Sequence, residues 1–334
     1  MKDNSHNRIV RFHRLGDASV LEIEQLPVTE PEEGELRIRV QAIGLNRAEI
    51  MFRTGTYLEQ PELPSRLGYE AAGIVEALGA GVTEFAIGDR VSTIPAFSQG
   101  KYGVYGETAI VPASAGAHYP ENLSATEGTA IWMQYLTAYG GLVNVGHLQQ
   151  GAVLLVTAAS SSVGVAAIQM GKMLGAVVIA TTRSAKKRDF LLSTGADHVI
   201  TTEEEGLVAS VMKQTSGRGF DLAFDPIGGT MLATLGEAAA AGATIIEYGA
   251  LATEPATYPL FAALAKSLTI RGYVLFEITT NPQILAEAKE FIYTGLKSKK
   301  LTPVIDRVFP FDEIASAHRH MESNRQLGKI VVEL

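Results

Sequence analysis

One stretch, residues 151–183, constrains the fold more than any other. It reads GAVLLVTAASSSVGVAAIQMGKMLGAVVIATTR. An apolar, β-branched run at 153–157 indicates a buried parallel strand, and small residues lead from it into a helical pattern over 163–174. Gly175 ends that pattern, and a second β-rich run follows at 177–180. The stretch therefore predicts a β-α-β unit of a parallel sheet.

The turn between the first strand and the helix contains only small side chains. Such a turn leaves backbone N–H groups open at the helix start, and the helix dipole adds partial positive charge, so it can seat a pyrophosphate. Ala159, Ser161 and Gly164 hold the three positions of the dinucleotide-binding motif G-x-G-x-x-G. Only the last glycine is present, so the motif alone leaves open a β-α-β unit that binds no ligand.

The end of the second strand favours a dinucleotide, and NADPH over NADH. An NAD site carries an acid there for the ribose 2′-hydroxyl, whereas a 2′-phosphate is bound by small neutral groups and cations. Thr182 occupies the acidic position, followed by Arg183 and Ser184 as first-choice phosphate contacts and Lys187 as a weaker one. The alternative for residues 186–188 is a solvated helical turn.

Composition restricts the class of protein. A length of 334 residues suggests two domains, and a net charge of -8 argues against general nucleic-acid or anionic-membrane binding. The absence of cysteine excludes disulfides, thiolate zinc sites and cysteine nucleophiles. The seven histidines, including His318 and His320, are scattered and are interpreted as surface residues. Residues 1–17 lack the apolar core of a signal peptide, so we expect a cytoplasmic protein.

The pattern of strand and helix signals changes near residue 124. Residues 9–111 contain short β-rich runs separated by Gly, Pro and Asp turns, with a short helical patch at 46–53. From 124 onward helical and strand patterns alternate, which predicts a doubly wound parallel sheet. The tail from 301 again contains β-rich runs, which flank a helix at 311–322. The predicted fold class is α/β, with a second, β-rich domain.

Several stretches together resemble the medium-chain dehydrogenase/reductase superfamily. They are AIGLNRAEIMFRTGTY, LGYEAAGIVEALGAGV, FAIGDRV, AASSSVG, FDPIGG and LGKIVV. Within the superfamily the chain is similar to the zinc-independent quinone oxidoreductase and zeta-crystallin group. The resemblance implies a GroES-like β domain of residues 1–123 completed by 274–334, a Rossmann domain of 124–273, and an active site in the cleft. It also implies a homodimer, with a strand at 273–276 near the subunit contact.

The resemblance also bears on metal binding. Zinc-dependent alcohol dehydrogenases of the superfamily hold catalytic zinc with Cys and His ligands, and the matching positions here are Asn46, Tyr69 and Met133. None of these is a normal zinc ligand, and Glu70 alone does not make a site. The hydroxyl that relays the alcohol proton in those enzymes falls at Ala48. We therefore expect no metal and no zinc-based alcohol oxidation.

Hydride transfer without a metal needs an activated acceptor or a hydrogen-bond donor for the developing negative charge. Quinones and α,β-unsaturated carbonyl compounds are activated acceptors of this kind. Tyr57 matches a tyrosine lining the site of quinone oxidoreductases, and Tyr69 replaces a zinc ligand, so both are candidate donors. Asn46 would orient the nicotinamide ribose or the substrate. The structural alternatives are a rim aromatic for Tyr57, a core tyrosine for Tyr69 and a turn-capping residue for Asn46.

The remaining predicted NADPH contacts follow from the turn and from the resemblance. They are Gln134, Thr137, Ser160, Ser161, Ser162, Val163, Gly164, Tyr248, Gly249, Asn324 and Lys329. Ordinary helix hydrogen bonding is the alternative for Gln134 and Thr137, and a surface lysine is the alternative for Lys329.

The leading functional prediction is an NADPH-dependent reductase of quinones or enones. A second enzyme hypothesis is an alcohol dehydrogenase or aldehyde–ketone reductase, either metal-free or of the zinc type. A hypothesis of another class is an NADPH-binding protein without turnover, similar to crystallins or adaptors. The expected partners are a small-molecule substrate and a second copy of the chain, with no nucleic acid and no membrane.

Overall fold

The computed structural model describes residues 6–334 and forms strands and helices along the whole of that range. The strands are β1 His6–Arg11, β2 Glu22–Pro27, β3 Glu35–Gly44, β4 Glu70–Leu78, β5 Arg90–Thr93, β6 Thr108–Pro112, β7 Gly116–His118, β8 Val153–Val156, β9 Val177–Thr182, β10 His198–Thr201, β11 Phe220–Asp225, β12 Ala239–Glu247, β13 Thr269–Gly272, β14 Ile305–Pro310 and β15 Lys329–Glu333. The helices are α1 Arg47–Arg53, α2 Gln99–Tyr102, α3 Ala125–Gly128, α4 Trp132–Tyr139, α5 Ser162–Met173, α6 Arg188–Thr194, α7 Leu207–Gln214, α8 Met231–Ala238, α9 Leu260–Lys266, α10 Phe276–Thr279, α11 Pro282–Lys297 and α12 Ile314–Glu322. A wide helical turn, Gly140–Val145, follows α4.

The chain divides into two compact units, one reaching to Met133 and including Pro303–Leu334, the other formed by Gln134–Thr302. Both boundaries come later than those predicted at 123/124 and 273/274. Helix α11 belongs to the second unit, where Phe291 packs against Tyr139 with ring centroids 5.3 Å apart. Local sequence does not show such a contact between distant segments. The predicted residues 1–5 of the β domain lie outside the described residues.

The first unit is built on a seven-stranded sheet. Its order is β14-β15-β3-β4-β5-β7, and β6 pairs with β3 off that path. The long strand β3 alternates apolar and polar side chains as predicted, and it pairs antiparallel with β4 and β15. The pairing with β15 joins the C-terminal tail to the N-terminal β domain. We call this unit the β domain.

The second unit is a doubly wound sheet with the order β10-β9-β8-β11-β12-β13. Every strand pair in it is parallel. Strand β8 is fully buried, as its apolar, β-branched sequence requires for a strand covered on both faces. The predicted fold class is therefore confirmed. We call this unit the dinucleotide-type domain.

The predicted strand at 273–276 is wrong. Strand β13 ends at Gly272, and helix α10 begins at Phe276. The Glu277 carboxylate accepts the Val274 N–H at 3.3 Å and pairs with Arg271, so the first turn of a helix is stabilised there. Val274 is 41 % exposed, which also contradicts the burial inferred from its apolar neighbours.

The interpretation of His318 as a surface residue is also wrong. Its ring is fully buried on α12 and lies edge-on to Tyr105, with centroids 5.8 Å apart. Burial lowers the pKa of His318 to about 3, and the Arg53 charge acts in the same direction. The ring is therefore neutral at physiological pH. His320 is half-buried and pairs with Asp306 at 2.7 Å.

None of the helices from residue 6 onward is both long enough and apolar enough to cross a bilayer.

Candidate active site

The start of α1 organises the polar interior of the β domain. The Glu49 carboxylate accepts the Asn46 backbone N–H at 2.6 Å, the Asn46 amide at 3.2 Å and the Tyr69 N–H at 3.2 Å. Glu49 is fully buried, and this burial raises its pKa to about 7. The Lys329 ammonium and the Asn46 hydrogen bond oppose that shift. Glu49 can therefore hold or lose a proton near neutral pH.

Lys329 supplies a buried cation to the same cluster. Its Nζ donates to Asn46 Oδ1 at 2.6 Å and forms an ion pair with Glu70. Glu70 also accepts the Asn46 amide at 3.2 Å and the Met133 N–H at 2.8 Å. Because Lys329 is 1 % exposed, its interpretation as a surface lysine is wrong. We call Asn46, Glu49, Glu70 and Lys329 the buried ionic cluster.

The positions that match zinc ligands do lie around this cluster. Met133 and Tyr69 reach it through their backbone N–H groups, and Asn46 through its side chain. The Asn46 amide also donates to Gly44 O at 3.4 Å, so both of its polar atoms have protein partners. Asn46 stands at the N-cap position of α1, and Glu49 closes this turn by accepting the Asn46 backbone N–H. Its orientation of the nicotinamide ribose or substrate stays a prediction.

The two candidate tyrosines form an aromatic pair beside the cluster. Their ring centroids are 6.4 Å apart, and the two rings meet edge to face. Tyr69 is fully buried against Phe97, whereas Tyr57 is half-buried. Burial raises the pKa of Tyr57 to about 12 and raises that of Tyr69 further. Tyr57 therefore keeps its proton at neutral pH and can donate a hydrogen bond.

The turn after β8 is tight and leaves the start of α5 open. Ser161 caps α5, and its hydroxyl accepts the Gly164 N–H at 3.1 Å. A Cβ on Gly164 would stand 2.6 Å from Ala159 Cα, so the close approach of helix and turn needs glycine at this position. Ala158 adopts a left-handed φ of 44°. Residues 160–163 remain partly exposed at the helix start, where the backbone N–H groups can bind phosphate.

The end of β9 places cations near that turn. The buried side chain of Thr182 ends the strand and is followed by the exposed Arg183. Ser184 caps the next turn, and Lys187 Nζ donates to Ser160 Oγ at 2.9 Å. Lys187 therefore directly contacts the turn that is predicted to bind phosphate. The neighbouring Arg188 pairs with Glu205 instead, at 2.6 Å.

Buried polar atoms without a protein partner in the dinucleotide-type domain are consistent with a ligand at the predicted cofactor site. Within the described residues, Gln134 Oε1 and the Tyr248 hydroxyl are buried and have no hydrogen-bond partner. Buried polar atoms without a hydrogen-bond partner are rare in native proteins, and they commonly bind a ligand or water. Tyr248 stacks on Phe224 with centroids 3.9 Å apart and is followed by Gly249. Together with the open helix start and Arg183, these atoms fit a dinucleotide.

The other predicted cofactor residues lie on α4, after α12 and in the buried ionic cluster. Thr137 lies one helical turn after Gln134 on α4 and is buried. Asn324 follows α12 with a left-handed φ of 56°, and its side chain is bonded to Arg47 in the β domain. Lys329 lies in the buried ionic cluster. Contact of these residues with a cofactor stays a prediction.

Two acids at the edge of the parallel sheet were not predicted. Asp225 ends β11 and Glu247 ends β12, and the two are directly opposite in the strand register. Burial raises the pKa of Glu247 to about 9, and the charge of Asp225 adds to the shift. The sequence signal was an acid at the end of each of two apolar strands, in FDLAFD and ATIIE. The buried Glu49 and its contact with Tyr69 were missed as well.

Comparisons with known proteins identify the family of the chain. A family model described as zinc-binding dehydrogenase matches residues 194–332, and one described as the alcohol dehydrogenase GroES-like domain matches residues 32–134. The quinone oxidoreductase of Lama guanicoe is 30% identical over 330 residues, covering 98% of this chain and 97% of the relative. This chain belongs to the medium-chain dehydrogenase/reductase superfamily. Its place is in the quinone oxidoreductase-like group, so the predicted resemblance is confirmed.

Solved structures of this superfamily share the whole fold. The structure of Escherichia coli quinone oxidoreductase complexed with NADPH has a TM-score of 0.91 at 27% identity, and covers 98% of this chain and 100% of that one. A structure of an NAD-dependent alcohol dehydrogenase has a TM-score of 0.90 at 31% identity, covering 98% and 99%. As a member of the quinone oxidoreductase-like group, the chain is an oxidoreductase.

Proposed function

We propose that this oxidoreductase uses NADPH to reduce quinones or α,β-unsaturated carbonyl compounds without a metal. The observation that carries the proposal is the Tyr57–Tyr69 aromatic pair. Tyr69 matches a metal-ligand position of zinc-dependent relatives, and Tyr57, whose hydroxyl keeps its proton, packs edge-on against it. The similarity to quinone oxidoreductases, one of them solved with NADPH, supports the choice of acceptor and cofactor.

The chain's own residues have distinct roles in this proposal. When bound, NADPH supplies the hydride. Tyr57 donates a hydrogen bond to the acceptor oxygen, where negative charge develops as the hydride arrives. Tyr69 packs edge-on against Tyr57 and so positions its ring. Asn46 and the rest of the buried ionic cluster hold the backbone of Tyr69 through Glu49. A proton taken up from solvent completes the two-electron reduction of the acceptor.

The binding of NADPH is assigned to the dinucleotide-type domain. The N–H groups at the start of α5, with Ser160, Ser161, Ser162, Val163 and Gly164, would hold the diphosphate. Arg183, Ser184 and Lys187 would bind the 2′-phosphate, with Thr182 in place of an acid. Gln134 and Tyr248 have buried polar atoms that lack protein partners in the described chain and so have capacity for the rest of the cofactor.

The test of the function is consumption of NADPH, with an NADH control and a chelator, against ortho-quinones, enones and simple aldehydes. Turnover of quinones or enones that prefers NADPH and ignores the chelator is the expected result. Product masses would separate quinone reduction from alkene reduction. Turnover of aldehydes alone, or loss of activity with the chelator, would refute the metal-free proposal. Cofactor binding without turnover would instead support the hypothesis of a binding protein.

Replacing Arg183 with alanine is expected to weaken NADPH binding by roughly tenfold, because a charge-assisted contact to the 2′-phosphate is lost. NADH lacks that phosphate, so its binding should not change. Dissociation constants from fluorescence titration would measure both effects. The control is Lys186→Ala, which removes an exposed cation from the neighbouring turn. An equal loss for NADPH and NADH would contradict the assignment of Arg183.

The proposal includes a homodimer formed through the edge of the parallel sheet. Strand β13 lies at that edge with three of its four residues exposed. Helix α9 presents Leu260, Phe261 and Leu264 with exposures of 53, 85 and 70 %, an apolar surface that would be costly in a monomer. Light scattering should give twice the 35.6 kDa chain mass, and a mass of one chain would exclude the dimer.

A further inference from the structure

The carboxyl edge of the parallel sheet holds a pair of acids that the proposed roles above do not use. Asp225 and Glu247 are register partners on β11 and β12, and their side chains are hydrogen-bonded to each other. Asp225 also accepts the Thr157 hydroxyl and, at 2.7 Å, the Gly228 N–H. The donors therefore converge on Asp225, which makes it the ionised member of the pair. Glu247 is the member that carries the proton.

Like charges explain why one proton is shared. Two carboxylates at hydrogen-bonding distance cannot both ionise without a large cost, especially when buried. Burial and the Asp225 charge together raise the pKa of Glu247 to about 9. On the other side of Glu247, the register partner on β13 is the uncharged Gly272, and Arg271 pairs with Glu277 at 2.6 Å.

The position of the pair is that of a ligand crevice. The sheet order places β8 beside β11, which is the point where the strand order reverses. Open parallel sheets bind ligands at the carboxyl ends of strands at such a point. Thr157 follows β8, and its bond to Asp225 joins the pair to this edge. Within residues 6–334, Glu247 Oε1 is buried and has no hydrogen-bond partner, so it can accept one from a ligand.

We propose that Glu247 is a cofactor-binding residue that works as a neutral carboxylic acid. It donates its proton to Asp225 and offers Oε1 to a hydroxyl or amide donor of NADPH. This inference rests on the proposed use of NADPH. Its consequence is that cofactor affinity depends on the proton. Loss of the proton puts a second negative charge at a crevice that must hold an anionic dinucleotide.

The test is the dissociation constant of NADPH between pH 7 and 10 for the wild type, Glu247→Gln and Glu237→Gln. The wild-type affinity should be constant from pH 7 to 8 and fall by about three- to tenfold by pH 10, since Glu247 ionises as the pH rises. Glutamine keeps both the donor and the acceptor, so E247Q should bind like the wild type at pH 7 and show no fall. Glu237 is an exposed acid on α8, and E237Q should follow the wild type.

Proton uptake gives an independent readout of the same group. Calorimetry at pH 9 in two buffers of different ionisation enthalpy should show the wild type taking up protons when NADPH binds, whereas E247Q should take up none. The same pH profile or the same proton uptake in wild type and E247Q would overturn the inference. Absence of NADPH binding in all three proteins at every pH would instead refute the proposed function.

Discussion

Replacement of Tyr57 by phenylalanine is expected to lower kcat/KM for quinone or enone reduction by about 100-fold. The change removes one hydroxyl that would donate to the oxygen where negative charge develops, and donors of this kind contribute about 100- to 1000-fold. The half-buried ring and its edge-on contact with Tyr69 remain, so the fold should be preserved. Steady-state kinetics would measure the loss, and NADPH titration should show an unchanged dissociation constant.

The control for this variant is Tyr293→Phe, which removes a hydroxyl from α11 in the other domain and should leave the kinetics unchanged. The wild-type rate should also show no step caused by Tyr57 between pH 6 and 9, because its pKa lies at about 12 and the hydroxyl stays protonated there. An activity of Y57F within threefold of the wild type would remove Tyr57 from the proposed chemistry.

Replacement of Lys329 by methionine is expected to destabilise the β domain by about 3–5 kcal/mol, or to prevent its folding. Methionine fills a similar volume, but the buried Glu70 loses the cation that pairs with it. Glu49 loses the ammonium that opposes its raised pKa. Urea unfolding at pH 7, followed by the single tryptophan, would measure the effect. Trp132 is buried in the β domain and bonded to Ser92, so its emission reports that domain.

A double variant keeps this prediction testable if the single variant fails to fold. Adding Glu70→Gln removes the unpaired carboxylate, so K329M/E70Q should recover part of the lost free energy. Lys300→Met removes an exposed lysine of the other domain and should change little. A destabilisation below 1 kcal/mol for K329M, or no recovery in the double variant, would show that the ion pair is not needed by the buried carboxylates.

The local sequence was sufficient to predict the elements whose formation depends on residues close together in the chain. The β-α-β unit at 151–183 was predictable because strand and helix periodicity, the small turn residues and the Ser161 cap act within a few residues of one another. The capping of α1 by Asn46 was already an alternative from the sequence. The quoted motifs also identified the superfamily, because each motif is a short run of adjacent residues.

The candidate site was only partly predictable. The sequence pointed to Tyr57, Tyr69 and Arg183 as groups with suitable chemistry, but not to the ring contact between the two tyrosines. It gave no sign that His318 is buried or that residues 273–276 begin a helix. These outcomes depend on packing against Tyr105 and on the Glu277 carboxylate, respectively.

The sequence by itself determined the order of strands and helices, the superfamily and the residue types available for chemistry. Only the tertiary structure decided which charges are buried together. Lys329 lies 283 residues from Asn46 in the chain yet donates to it, because β15 pairs with β3. Asp225 and Glu247 share a proton because neighbouring parallel strands end at the same edge. Burial and proximity set the proton affinity of such groups, and both are properties of the folded chain.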